Sequence, residues 1–127
     1  MASPDKLSLI IQSGAFDRVH YALVMASAAL AIGKPVTLFF TMAGTRALTP
    51  GWADADKEKT FAADGLATFE ELLGACRDLE ATFMVCELGL RAEKLVADDL
   101  RGDITVTEGS AVSFLSDASG DGAILYI

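Results

Sequence analysis

Leu7-Ser-Leu-Ile-Ile-Gln12 and Val36-Thr-Leu-Phe-Phe-Thr41, joined by the continuous segment between Asp17 and Ile32, decide the fold. The first run is short, apolar and closed by Ser13-Gly14, the pattern of a strand buried on both faces. The segment that follows is helical in period. Val19, Leu23, Ala26 and Leu30 form one apolar face, and Ala22, Met25, Ala29 and Ile32 form a second. Asp17 stands where an N-cap belongs, and Gly33 stops the helix with Lys34-Pro35 just beyond. Strand, helix and strand in this compass make a βαβ unit, whose crossover is right-handed in nearly all known cases. A helix apolar on two faces is expected to be covered on two sides, by its own sheet and by something else.

The remaining chain repeats the alternation. A short helix is expected over Met42 to Leu48, ahead of Thr49-Pro50-Gly51-Trp52. Residues 53–64 are polar and charged and read as a long exposed loop or a loosely attached helical turn. A helix is predicted from Leu66 to about Leu79, with Leu66, Phe69, Leu73 and Cys76 on one face. A third strand over Ala81 to Val85 ends at Cys86. Then come a short helix around Leu90 to Asp98, a fourth strand at Asp103 to Thr107, and a helix near Ser110 to Ala118. A turn at Ser119-Gly120-Asp121-Gly122 precedes a closing strand at Ala123 to Ile127. The expected architecture is an α/β three-layer sandwich, a five-stranded parallel sheet with helices on both faces, as a single domain over residues 1–127.

The 127 residues are enough to bury roughly two-thirds of their unfolded surface without a disulfide or metal. Hydrophobic residues make up 52%, a surplus for one small core that points to a subunit interface. Net charge is −8, and it is uneven: residues 1–53 hold two acids and four bases, whereas residues 54–108 hold fourteen acids and six bases. This balance repels a duplex or an anionic lipid surface, which argues against nucleic-acid and membrane partners. Tyr21 to Ile32, the longest apolar stretch, is too short to span a bilayer. The N-terminal residues carry no signal-type pattern, and two cysteines without such a leader point to reduced thiols in the cytoplasm.

In open parallel sheets, ligands gather outside the carboxyl ends of the strands. That rim holds Ser13 and Gly14 after the first strand, Met42 to Gly44 after the second, Cys86 after the third, and Glu108-Gly109 after the fourth. Cys86 is the intrinsic nucleophile among them. It stands just before a predicted helix and five residues before Arg91, two features that favour a thiolate, whereas Glu87 opposes it. The competing reading is an inert buried thiol at a strand end. Cys76 falls on an apolar helical stripe and reads as a core residue. The two cysteines are ten positions apart, neither a C-x-x-C pair nor a zinc hook. Cys86 to Arg91 is one residue short of a phosphatase-type anion loop. His20, the single histidine, lies in the first turn of the first helix, as a candidate proton carrier or anion contact or as a surface residue. Ser13-Gly-Ala-Phe-Asp17 is not a dinucleotide fingerprint, and no phosphate-loop motif occurs. Neither a metal nor an organic cofactor is expected.

Several segments together resemble the DsrE/DsrF-like family, small α/β proteins that include subunits of bacterial sulfur-relay complexes. They are the alanine-rich helix from Ala22 to Gly33, Val36-Thr-Leu-Phe-Phe-Thr-Met-Ala-Gly44, Leu72-Leu-Gly-Ala-Cys-Arg77 and Phe83-Met-Val-Cys86. The resemblance implies homo-oligomers, often trimers or hexamers, or mixed complexes. It also implies that Cys86 matches the cysteine that carries persulfide sulfur in the sulfur-transferring members, with donor and acceptor proteins as partners. Ser13, Gly14, His20, Gly44, Arg91 and Gly109 would then line a pocket beside it. The alternative within the same fold is a non-catalytic oligomeric module that binds a small ligand or partner at the rim.

Overall fold

The computed structural model of the chain describes residues 5–118, 120 and 122–127. Residues 1–4 and the Ser119 and Asp121 positions of the predicted turn lie outside that set. Among the described residues five strands, β1 (Leu7–Ile11), β2 (Val36–Phe40), β3 (Thr82–Cys86), β4 (Val106–Gly109) and β5 (Ala123–Tyr126), pair in the order β4-β3-β2-β1-β5. All four pairings are parallel. The α-helices are α1 (Phe16–Ala31), α2 (Ala55–Ala63), α3 (Phe69–Asp78), α4 (Glu87–Ala92) and α5 (Ala111–Asp117), with a 3₁₀ helix at Met42–Leu48.

Chain direction explains how the helices are shared between the faces. From β1 through β4 each crossover steps the same way across the sheet, and right-handed connections put α1, α3 and α4 on one face. The step from β4 to β5 runs back past β3, β2 and β1, so the same handedness puts α5 on the opposite face. Alternation within the strands follows. Leu9, Ile11, Leu38, Phe40, Phe83 and Val85 face α1 and α3 in the larger core. Ile10, Phe39, Met84 and Cys86 face α5 in a smaller one, with Phe114 and Ala118. All five residues of β2, the central strand, are buried, which matches a run with no polar alternation.

Several expected boundaries move. The N-cap of α1 is Ala15 rather than Asp17, because the Ser13 hydroxyl accepts the Ala15 N–H at 3.1 Å and starts the turn two residues earlier. The helix expected around Leu90 to Asp98 is α4, which begins directly after Cys86 and ends where Lys94 takes a left-handed φ of 58°. The fourth strand is Val106–Gly109 rather than Asp103 to Thr107, so Glu108 and Gly109 lie within the strand and not beyond it. The second apolar face of α1 divides. Ala22 and Ala29 are buried with the first face, whereas Met25 and Ile32 are 39% and 72% exposed, and Tyr21, outside both predicted faces, is 61% exposed beside them.

The largest correction is at residues 53–64, where a regular helix, α2, replaces the expected loop or loose turn. None of its residues is buried, so no apolar stripe announces it. Polar contacts dock it instead. Asp54 caps its N-terminus by accepting the Lys57 N–H at 3.0 Å. Lys57 pairs with Asp17 at 2.8 Å and stands 5.5 Å from the Phe16 ring centroid. Glu58 accepts the Phe69 and Glu70 N–H groups at 2.7 and 3.2 Å, capping α3 from outside its own sequence. That capping is decisive, because it ties two helices with one carboxylate. Glu58→Ala is therefore expected to lower stability by about 0.5–2 kcal/mol, the usual cost of a lost cap. Lys59→Ala, one residue away and exposed, should change it by less than about 0.5 kcal/mol. Urea unfolding of both variants checks the contrast.

Candidate functional site

The site is built where β3 ends. Cys86 is the last residue of β3 and also the N-cap of α4, with extended backbone (φ −77°, ψ 128°). Strand alternation turns its side chain to the α5 face, the same side as Met84 and Phe39. Gly109 is its register partner on β4. A Cβ at Gly109 would stand 2.7 Å from the Met84 sulfur and 2.8 Å from the Ser113 hydroxyl, so the glycine lets the start of α5 press onto the sheet. Phe114 stacks on Phe39 with centroids 4.8 Å apart and is 1% exposed, and Cys86 beneath this cluster is 7% exposed. The Cys86 side chain makes no cap hydrogen bond to α4, and its neighbours in this cluster are apolar.

The remaining residues singled out from the sequence separate into groups. Gly44 is buried because the 3₁₀ helix closes on β1. A Cβ there would stand 2.2 Å from the Ile11 carbonyl oxygen, and the Gly44 N–H donates to the Gln12 and Thr41 carbonyls at 3.0 Å each. Gly14 packs against Ala43 at the same junction, next to Ser13, so these three come together at the end of β1. His20 lies on the opposite face of the sheet from the Cys86 side chain. Its Nε2 is 2.8 Å from the Ala67 carbonyl oxygen, and its ring stacks on Phe16 and meets the edge of Phe61. Arg91 lines an exposed groove with Glu87, Leu90, Leu95, Val96 and Glu108. Gly109 is thus the residue of this set that adjoins Cys86.

Sequence reasoning missed how α5 is fastened over the second face of the sheet. Asp117, at the end of α5, accepts from the buried Thr37 hydroxyl at 2.9 Å and from the Lys6 ammonium. Thr37 and Phe39 share a face by strand period, and that much is legible in Val36-Thr-Leu-Phe-Phe40. Their meeting with residues 114 and 117 depends on the return crossover, which leaves no local pattern. Cys76 behaves as expected. It is fully buried in the larger core, and burial pushes its thiol up to about 11, so it stays protonated and unreactive near neutral pH.

Among the described residues no three His, Cys, Asp or Glu side chains gather closely enough to hold a metal ion. Among them also, no helix is long and apolar enough to cross a membrane.

Fold and thiol define a class: a parallel, helix-covered α/β domain with a cysteine at the C-terminal end of an interior strand. The sequence profile of the DsrE/DsrF-like family matches residues 5–124, and the chain belongs to that family. Its structure is similar to the crystal structure of the ychN protein from E. coli, with a TM-score of 0.68 and 12% identity, over 97% of this chain and 99% of that one. At that identity the likeness is one of fold. No curated protein matches the chain.

The Asp117 carboxyl, at the end of α5 away from Cys86, gives the second layer a pH signature. Burial works to raise its pKa, but hydrogen bonds from Lys6 and Thr37 and the charge of Lys6 outweigh this and hold it below its ordinary value. A depressed folded-state value means stability that is present above the unfolded value of about 3.9 and is lost as pH falls through the folded one. Asp117→Asn is expected to be less stable than wild type at pH 7 and to lose less on going to pH 3. Urea midpoints at the two pH values measure this, and equal losses in both proteins would refute it.

Proposed function

We propose that the chain is a sulfur carrier that passes persulfide sulfur through Cys86. The observation that carries the reading is the position of this thiol, at the carboxyl end of β3 and at the cap of α4, in a chain of the DsrE/DsrF-like family. The chemistry balances without a cofactor. The Cys86 thiolate attacks the outer sulfur of a donor persulfide, forming Cys86–S–SH and releasing the donor thiolate. An acceptor thiolate then attacks that outer sulfur, the new S–S bond forms on the acceptor, and Cys86 leaves as thiolate. Of the residues singled out from the sequence, Gly109 adjoins Cys86 and would meet a docking donor or acceptor, whereas buried Gly44 and His20 on the other face of the sheet would not. A reducing compartment such as the cytoplasm suits a free thiol of this kind.

The burial of Cys86, 7% exposed among Phe39, Met84 and Phe114, favours a second reading, a non-catalytic oligomeric module that binds a small ligand or partner at the rim. The two readings part on one measurement. Incubation with a persulfide donor should add about 32 Da to the intact wild-type protein, the mass of one sulfur atom, and nothing to Cys86→Ser. Absence of the adduct, or equal addition to the variant, leaves the binding module.

In either case the protein assembles as a homo-oligomer, a trimer or hexamer. Support comes from α1, where Tyr21, Met25 and Ile32 lie exposed along one side, with Met25 and Ile32 beside a cleft shared with Leu7 and Ala123. Apolar surface of this kind on a chain with ample core is typical of an interface. Light scattering at micromolar concentration is expected to give a multiple of 13.4 kDa, and Met25→Glu should shift it toward the monomer mass.

A further inference from the structure

We infer that α5 is a movable cover over Cys86, latched by Asp117 and plugged by Phe114, and that its opening sets access to the thiol. The inference rests on the relay reading for its purpose, since a carrier must present a sulfur that the closed structure buries. The second face of the sheet carries one seven-residue helix, and an isolated helix of that length has little stability of its own. Among the described contacts, those of Phe114, Ala118 and Asp117 hold α5 to the sheet. Phe114 inserts against Phe39, and Ala118 closes the cluster that contains Cys86. At the far end Asp117 takes the Thr37 hydroxyl and the Lys6 ammonium. The outward side holds Val112 and Leu115, which are 76% and 56% exposed.

The first turn is capped from within. Ser110 accepts the Ser113 N–H at 3.2 Å, and the Ser113 hydroxyl accepts the Ser110 N–H at 2.8 Å. Lifting α5 therefore leaves the Ser110 and Ser113 N–H groups satisfied. Such a motion breaks, among the described contacts, the Phe114–Phe39 stack and the Asp117 hydrogen bonds to Thr37 and Lys6, while the larger core on the other face stays intact. Local opening of this scale exposes a residue far more often than global unfolding does. Cys76 provides the reference, because it lies fully buried in that larger core.

Native alkylation with iodoacetamide, followed at each cysteine by peptide mass mapping of the full-length protein, tests the cover. Wild-type Cys86 should react more slowly than free cysteine but faster than Cys76. Thr37→Val takes away one latch bond and Asp117→Asn takes away the charge of the other, both with little change of volume, and each should speed Cys86 by about tenfold while Cys76 is unchanged. Phe114→Ala should do the same or more, and Leu115→Ser, on the outward side, should leave both rates alone. Wild-type Cys86 reacting like free cysteine would overturn the inference. So would Cys86 and Cys76 accelerating in parallel in the latch variants, or latch variants that leave Cys86 unchanged. Sulfur loading by the persulfide donor is read separately. If Cys86 takes up sulfur but labels without hindrance, the cover fails and the relay stands. If the latch variants open Cys86 yet none accepts sulfur, the cover stands and the relay fails.

Discussion

The handedness of one connection shapes this protein. Right-handed crossovers running one way along the sheet put α1, α3 and α4 on one face, and the reversal from β4 to β5 leaves α5 alone on the other. One face carries a broad aliphatic and aromatic core. The second face is closed by a single short helix, and Cys86 points into that thinner layer. Full burial of a phenylalanine contributes about 1.5–3 kcal/mol, and a stacked aromatic pair adds about 0.5–1.5 kcal/mol. These sums lie below the roughly 5–15 kcal/mol that holds a whole domain folded. The second layer is therefore the thinner of the two.

The two cysteines illustrate the same asymmetry. Cys76 sits on α3 within the thick layer, where desolvation disfavours its thiolate and no strand end exposes it to a partner. Cys86 sits in the thin layer at the rim, at the cap of a helix and beside a glycine where the backbone of β4 comes close. One residue type thus has two chemical prospects, and the layer around each thiol decides between them.

Polar contacts make up for sparse burial elsewhere. α2 has no buried residue and is tied down by Asp54, Lys57 and Glu58. The loop before β4 is held by Arg101, which donates to both carboxylate oxygens of Glu70 at 2.7 and 2.9 Å and to both of Asp103 at 2.7 and 2.9 Å. Part of the acidic surplus of residues 54–108 is engaged this way, as caps and forks. The excess of carboxylates is partly structural as well as a source of solubility.

The sequence by itself determined the five strands, their parallel sense and the burial of Cys76, because continuous apolar runs and helical stripes are local consequences of facing a core. It also located Cys86 at a strand end, since strand length and the onset of the next helix are read from neighbouring residues. It failed at α2, where pattern is silent because docking uses charges that meet residues 40 positions away in the case of Lys57 and Asp17. Tertiary structure alone decided the strand order, the lone helix on the second face and the seat of Cys86 under Phe114. Those depend on which way a crossover returns, a choice made by the packing of the whole sheet and written in no single stretch of residues.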